Sequence, residues 1–298
     1  MFQKSGVQCF MIALLFLLSQ LTVHAQTPAA PALFKLESGK TVMYFFGSIH
    51  VGTADMYPLN EKVVEAFKRS DALVIELNQL EINSGELMKV IQEKLMYPTG
   101  DSLDKHLQPE YLEKLKKILP GYGLQFEAIQ LFKPATVDLI VSQVSAQALG
   151  YKEEYGIDMH FLTLANRMEK TILQLENVNE QMEAFFRIPM EVQVLMLTTT
   201  IDQQDTIKSD LISLVSSWKK GDLDQMYSII EEQYIKIPEM MPAFVSLVSE
   251  RNLKMKDRLV EMIKKGGKYF VVIGAGHFAG PDNIIEMLKK EGYTVTRQ

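Results

Sequence analysis

Cysteine is nearly absent from this 298-residue chain, where Cys9 is the only one. A single thiol excludes an intramolecular disulfide and any cysteine-rich zinc module. Tryptophan is also single, and histidine occurs five times. No basic block is present: 31 Lys and Arg face 37 Asp and Glu, for a net charge of −6. That balance argues against nucleic-acid partners and against an anionic membrane surface. A Gly-x-Ser-x-Gly elbow, a His-Glu-x-x-His helix and a phosphate-cradling loop are all missing, which weakens serine-hydrolase, zincin and P-loop readings. What remains is 47% hydrophobic and 23% charged content, ordinary for an enzyme-sized chain with a sizeable core. The 17 methionines fall mostly in helical stretches and read as core filling.

The apolar run over residues 10–18 follows Lys4 and precedes Val23-His24-Ala25. A basic start, a run of roughly 7–15 apolar residues and a small-x-small-like junction predict a signal peptide over 1–25, cleaved after Ala25. The run falls short of the roughly 20 residues that span a bilayer. A membrane anchor is therefore the alternative, for an uncleaved segment. Cleavage removes Cys9 and Lys4, takes the net charge from −6 to −7, and predicts a periplasmic or extracellular protein.

Residues 26–298 read as one α/β domain whose two ends surround a mostly helical lobe over 84–265. Residues 33–36 and 42–46, around Ser38-Gly39-Lys40, predict a β-hairpin. A helix over 60–69 and a buried strand over 72–77 follow. One helix has Pro134 in its first turn, Val137, Ile140, Val141, Val144 and Ala148 on one face, and Gly150 just past its end. A short strand is expected over 171–175. Residues 177–265 hold one glycine, Gly221, and predict helices broken near Pro189, Gly221, Pro238 and Pro242. The chain closes with a strand over 269–273, a helix over 283–290 and a strand over 293–296.

The two ends echo each other. Tyr44-Phe45-Phe46 runs into Gly47-Ser48-Ile49-His50, and Val271-Val272-Ile273 runs into Gly274-Ala275-Gly276-His277. Each is an apolar strand, a Gly-x-x-His turn, a helix with proline at its start and a return strand. Residues at the carboxyl ends of strands in open α/β sheets line the ligand crevice. If the two strands are neighbours, His50 and His277 converge. Gly47, Gly274 and Gly276 then allow sharp turns or close backbone approach. Two imidazoles and a carboxylate suit a divalent ion with an open position; the plainer reading makes both histidines polar turn residues.

Glu76 is the leading carboxylate, because it interrupts the apolar Ala72-Leu73-Val74-Ile75-Glu76-Leu77, where an unpaired charge is expensive to bury. Glu176 follows Leu173-Gln174-Leu175 and reads equally as a site residue or as the first turn of a helix. Asp158 and His160 form either a pair supporting the site or, by slight preference, the start of a helix. Arg251 opens a helix and lies near its apolar stripe, marked by Met255, Leu259 and Met262. There a cation would pair with Glu76 or hold a substrate carboxylate or oxyanion. Arg258 falls near the same stripe.

The segments Phe46-Gly47-Ser48-Ile49-His50-Val51-Gly52, Val74-Ile75-Glu76-Leu77, Glu250-Arg251-Asn252 with Met255, and Ile273-Gly274-Ala275-Gly276-His277-Phe278-Ala279-Gly280 resemble the TraB/GumN family, which includes the Tiki metalloproteases. Gly156-Ile157-Asp158 and Leu175-Glu176 are similar to its middle motifs. The likeness covers nearly the whole mature chain in order, departing at Ala279-Gly280, where the first half has Val51-Gly52. It implies an α/β fold of the erythromycin-esterase and ChaN-like kind, with an active centre at His50, His277, Glu76 and Arg251. The expected function is an exported, divalent-metal-dependent hydrolase, most specifically a peptidase acting on a peptide or protein. His50 and His277 would ligate manganese, cobalt or zinc, Glu76 would be the third ligand or the base, and Arg251 would stabilise negative charge. The alternative is a non-catalytic protein that sequesters peptides in the manner of pheromone shutdown. A haem- or iron-handling role rests on fold analogy alone.

Overall fold

The computed structural model describes residues 29–298; the expected signal peptide and Cys9 lie outside the described residues. Six strands form one sheet: β1 (Leu33–Ser38), β2 (Thr41–Ser48), β3 (Ala72–Ile75), β4 (Thr171–Gln174), β5 (Gly267–Gly274) and β6 (Val295–Arg297), in the order β4-β3-β5-β2-β1-β6. β1 and β2 make the expected hairpin, with Ser38 opposite Thr41 and Gly39 left-handed at the turn (φ 57°). β2, β5, β3 and β4 are parallel neighbours, and β1 alone runs against the rest. β2 and β5 are longer than their apolar runs. They pair without a break from Thr41 opposite Gly267 to Ser48 opposite Gly274, so the ladder carries polar residues and glycines into the strands.

Alternation along the strands sends successive residues to opposite faces. On one face Phe46, Leu73, Ile75, Phe270 and Val272 pack with Phe67, Phe161 and Trp218. These come from helices α1 (Glu61–Arg69), α5 (Ile157–Arg167) and α8 (Ile207–Lys220). On the other face Phe45, Val74, Val271 and Ile273 pack with Met255, Leu259, Ile263 and Ile285, from α10 (Glu250–Lys265) and α11 (Ile284–Lys290). The middle of the chain is thus less detached than the sequence suggested. It supplies β4, and α5, α8 and α10 cover the sheet.

The remaining α-helices longer than one turn are α2 (Ser84–Val90), α3 (Pro109–Ile118), α4 (Pro134–Ala148), α6 (Val178–Phe186), α7 (Met190–Asp202) and α9 (Leu223–Ile230). A separate core joins α3, α4 and α7 through Leu115, Val137, Val141, Leu197 and Ile201. The expected breaks are present: Pro189 precedes α7, and Gly221 caps α8 with φ 65°. Pro238 and Pro242 sit in first helical turns. Among the described residues no helix is long and apolar enough to cross a membrane.

Asp138 stands apart from this packing. It lies on the buried side of α4, 8% exposed, and its Oδ1 has no hydrogen-bond partner. Burial pushes its carboxyl up to about 6, against the opposing pull of the Thr200 hydroxyl. A carboxyl whose folded pKa lies above its unfolded value favours folding while protonated, and that advantage disappears as pH rises through about 4 to 6. Asp138→Asn is therefore expected to raise the free energy of unfolding by about 2–3 kcal/mol at pH 8, with the gain shrinking toward zero near pH 4. Urea unfolding at the two pH values measures this; equal gains at both would contradict a buried, ionised Asp138.

Candidate active site at the carboxyl edge of the sheet

Each of the four parallel strands delivers a polar residue to one edge. β2 ends at Ser48 with His50 just beyond, and β5 ends at Gly274 with His277 in the 3-10 turn Ala275–Phe278. Glu76 follows β3, and Glu176 lies two residues past β4. The β3–β4 ladder runs on past the strands: Leu175 N donates to Ile75 O and Glu176 N to Glu76 O, both at 2.8 Å. Two buried glutamates are thereby held side by side. Because Ser48 pairs with Gly274, both Gly-x-x-His turns leave the sheet at one level, as neighbouring strands require.

Arg251 reaches this edge from α10. Its Nε donates to Glu176 Oε1 (2.9 Å), and its Nη2 donates to Glu176 Oε2 and to Glu76 Oε2 (2.6 Å each). Its Nη1 donates to Leu247 O and to His277 Nε2, at 3.2 Å each. All five guanidinium N–H groups are engaged. Burial works against its charge, but the two carboxylates outweigh burial and raise its pKa further. The sequence suggested that Arg251 would pair with Glu76 or hold a substrate carboxylate or oxyanion; it pairs with Glu76, and no donor is left free for the other task.

Glu76 is equally committed. Its Oε1 accepts from Gly274 N at 2.5 Å and its Oε2 from Arg251. A Cβ on Gly274 would lie 3.2 Å from that Oε1, so a side chain there would crowd the carboxylate. Burial pushes the Glu76 carboxyl up, yet the neighbouring imidazoles, the guanidinium and the Gly274 N–H bring it down to about 2. It is therefore an anchoring carboxylate and a very weak base. The first turn glycine, Gly47, accepts from Trp218 Nε1 at 2.8 Å, and a Cβ there would lie 2.9 Å from Ala275 Cβ. At Gly276 a Cβ would lie 3.3 Å from Ile230 Cδ1.

The two motif histidines have different environments. His277 is buried, with Nδ1 2.6 Å from Asn252 Oδ1, and Asn252 Nδ2 donates to Asp282 O at 3.1 Å. An amide oxygen on one side and an arginine donor on the other assign the proton to Nδ1 and leave Nε2 as acceptor. Burial pushes the His277 imidazole down to about 4, which agrees with this neutral form.

His50 keeps an open face, its side chain 68% exposed. Its Nδ1 lies 2.9 Å from Asp158 Oδ2, while Ser48 Oγ donates to Asp158 Oδ1 at 2.6 Å. Gly156 makes this geometry possible: a Cβ there would lie 2.3 Å from His50 O. Ile157 N donates to Ile49 O at 2.9 Å, which sets the first turn of α5, and Asp158 with it, against the His50 turn. The attraction of Asp158 and its hydrogen bond raise His50 to about 9, against burial, with Glu76 adding to the attraction and Arg251 opposing it. His50 thus sits within the field of the Arg251 cluster without touching it.

Asp158 both starts a helix and partners the site; its companion His160 does not, packing instead on Tyr57 and Phe161. Arg258 pairs with Glu180 and the Leu175 carbonyl rather than with the site. Glu176 pairs with Arg251 at this edge and lies before α6 rather than in its first turn. Sequence reasoning missed Ser48 and Asn252, although each lies inside a motif it quoted. Among the described residues, no group of three or more His, Cys, Asp or Glu side chains is placed to hold a metal ion.

Fold and site together define a mixed α/β protein with a polar centre at the carboxyl edge of a six-stranded sheet. The chain matches the TraB/PrgY/gumN family over residues 32–297 and belongs to that family. It is 25% identical over 261 residues to the Escherichia coli protein YbaP, described as uncharacterized, covering 87% of this chain and 92% of YbaP. It is 24% identical over 304 residues to metalloprotease TIKI1 of Danio rerio, covering 85% of this chain and 60% of that protein. Human metalloprotease TIKI1 is also 24% identical, over 306 residues, covering 85% of this chain and 59% of the human protein. No solved structure matches the chain.

Two measurements check the geometry. Nuclear magnetic resonance titration is expected to place His50 near pH 9, and Asp158→Asn to bring it back toward 6.5; a wild-type value near 6.5 would contradict the pair. Arg251→Met leaves Glu76 and Glu176 buried without their cation and is expected to cost about 3–5 kcal/mol of stability. His50→Ala, at an open position, is expected to cost no more than about 1 kcal/mol. Equal losses in the two variants would disprove the anchoring role of Arg251.

Proposed function

We propose that this chain is an exported hydrolase of amide bonds in peptides or proteins, with His50 as the group that moves the proton. The observation that carries this reading is the Asp158–His50 pair at the carboxyl edge, whose Nδ1 is held at 2.9 Å while the ring stays open to solvent. The relatives named metalloproteases support the reaction class. The apolar run and junction ahead of residue 26 support export.

The chemistry follows from the free nitrogen. In its neutral form, which becomes populated as pH rises toward about 9, His50 accepts at Nε2 a proton from the water that attacks the scissile carbonyl and then returns it to the departing amine. Activity is therefore expected to rise with pH over that range. Asp158 fixes the tautomer and stabilises the imidazolium, and Ser48 holds the second oxygen of Asp158. Ser48 donates to Asp158 and not to His50, which suits it to positioning rather than to nucleophilic attack. Arg251, Glu76, Glu176 and His277 act behind this pair, fixing the edge and its field.

The name of the TIKI relatives implies a divalent ion, and manganese, cobalt and zinc were the expected choices. The residues do not fit one as they stand. Arg251 takes the Glu76 oxygen and the His277 nitrogen that would face a metal, and the other Glu76 oxygen holds Gly274 N.

Incubating the purified mature chain with a peptide library, with cleavage read by mass spectrometry, tests the proposal. His50→Ala is expected to lower kcat about 100- to 10,000-fold, and Asp158→Asn to lower it with little change in KM. Full activity in His50→Ala would end the assignment. Activity lost on chelation and restored by manganese, cobalt or zinc would replace the histidine pair with a metal-centred site. Stoichiometric peptide binding without product would favour the sequestering role.

A further inference from the structure

Three acceptor atoms converge behind the His50 turn: Glu76 Oε2, Glu176 Oε2 and His277 Nε2. Their residues follow the neighbouring strands β3, β4 and β5, and all three are buried. Two carboxylates and a neutral imidazole are a donor set that suits a divalent ion. His277 is also held as a metal ligand is held, with Asn252 Oδ1 on its Nδ1 and the Nε2 lone pair turned inward. Two buried carboxylates without a cation would be costly, so the cluster needs a positive charge from some source.

The guanidinium of Arg251 fills the space these atoms share. Its Nη2 donates to both carboxylates at 2.6 Å and its Nη1 to His277 Nε2 at 3.2 Å. Bonds from a metal ion to oxygen and nitrogen are about 2.0–2.2 Å long, so the three acceptors stand at hydrogen-bond distance from their cation and not at coordination distance. Among the described residues, no group of three such side chains is placed to hold an ion directly. An ion could enter only if Arg251 left. Every N–H of that side chain is engaged, with Glu176 Oε1 and Leu247 O taking the rest. Its chain neighbour Asn252 is buried and bonded to His277 and to Asp282 O, which keeps the root of the guanidinium in place. The planar fork suits this task, since it meets three acceptors in one fixed geometry.

We infer that Arg251 is this chain's internal replacement for a divalent ion, and that the folded protein excludes manganese, cobalt and zinc from Glu76, Glu176 and His277. The guanidinium supplies the positive charge between the carboxylates and the partner of the His277 lone pair, both from within the chain. It secures the edge as an ion would, but it offers no open coordination position at which water could bind. The inference goes beyond the proposed hydrolysis and does not rest on it, because it concerns what fills the cluster behind His50 and is read without turnover.

Zinc titration of the full chain at neutral pH, followed by nitrogen nuclear magnetic resonance of the histidine rings, tests the inference. His277 is expected to show a protonated Nδ1 and a bare Nε2 whose shifts do not change as zinc is added in excess. Arg251→Met is expected to unfold at a lower temperature than the wild type, and zinc to restore part of that loss by binding among Glu76, Glu176 and His277. Its zinc affinity at this cluster is expected to exceed that of the wild type at least about 100-fold, and adding His277→Ala to remove the gain. A zinc-dependent shift of His277 Nε2 in the wild type would overturn the inference, and that spectrum decides the matter even where Arg251→Met does not fold. A folded Arg251→Met with no gain in zinc affinity would overturn it as well.

Discussion

The guanidinium of Arg251 is the point on which the site edge depends. It joins the ends of β3 and β4 through Glu76 and Glu176, and reaches the β5 turn through His277. Glu76 completes the circuit by holding Gly274 N at the end of β5. Parallel strands end in unpaired backbone groups and have no tight turns between them. Here three of them are tied by one buried cation and its ligands. Such a cluster gives little net stability compared with an apolar core, yet loses much when one member is removed. Its value lies in geometry: it fixes the edge from which the His50 turn emerges.

That geometry explains why two copies of one motif have different chemistry. The first Gly-x-x-His turn passes beneath the start of α5 and presents its imidazole outward, on the Asp158 carboxylate. The second coils into a 3-10 turn and buries its imidazole between Asn252 and Arg251. One histidine is raised to about 9 and the other lowered to about 4. The open imidazole and the buried one are thus separated by environment and not by residue type, the usual way a protein sets like groups to different protonation states.

Much of this edge is written locally. The apolar runs and their Gly-x-x-His endings identify β2 and β5, and a charge inside an apolar strand marks Glu76. Proline and glycine mark the helix ends at Pro134, Pro189 and Gly221. What periodicity does not encode is which distant residue meets which. Ser48 and Asp158 are 110 positions apart, and Asp158 reads locally as an ordinary helix start. Glu176 likewise reads as a helix start until the β3–β4 ladder is extended past its apolar residues. Asn252 sits beside Arg251 in a quoted motif, but only the tertiary position of His277 gives it a task. Asp138 was hidden by its own helix, because the apolar stripe from Val137 to Val141 is satisfied without it.

The two buried acids, Glu76 and Asp138, sharpen the distinction between structural and functional charge. Both interrupt apolar surfaces, and both are far from water. Glu76 has a donor on each oxygen and is held at about 2, so its charge is part of the fold. Asp138 has one hydroxyl for company and is pushed up to about 6, so its charge is a standing cost. A fold that can place five guanidinium donors without waste at one end of the molecule has the means to satisfy a carboxylate at the other. The oxygen left bare on the buried side of α4 is then a local cost that the surrounding packing outweighs, and one that weighs only while the carboxyl is ionised.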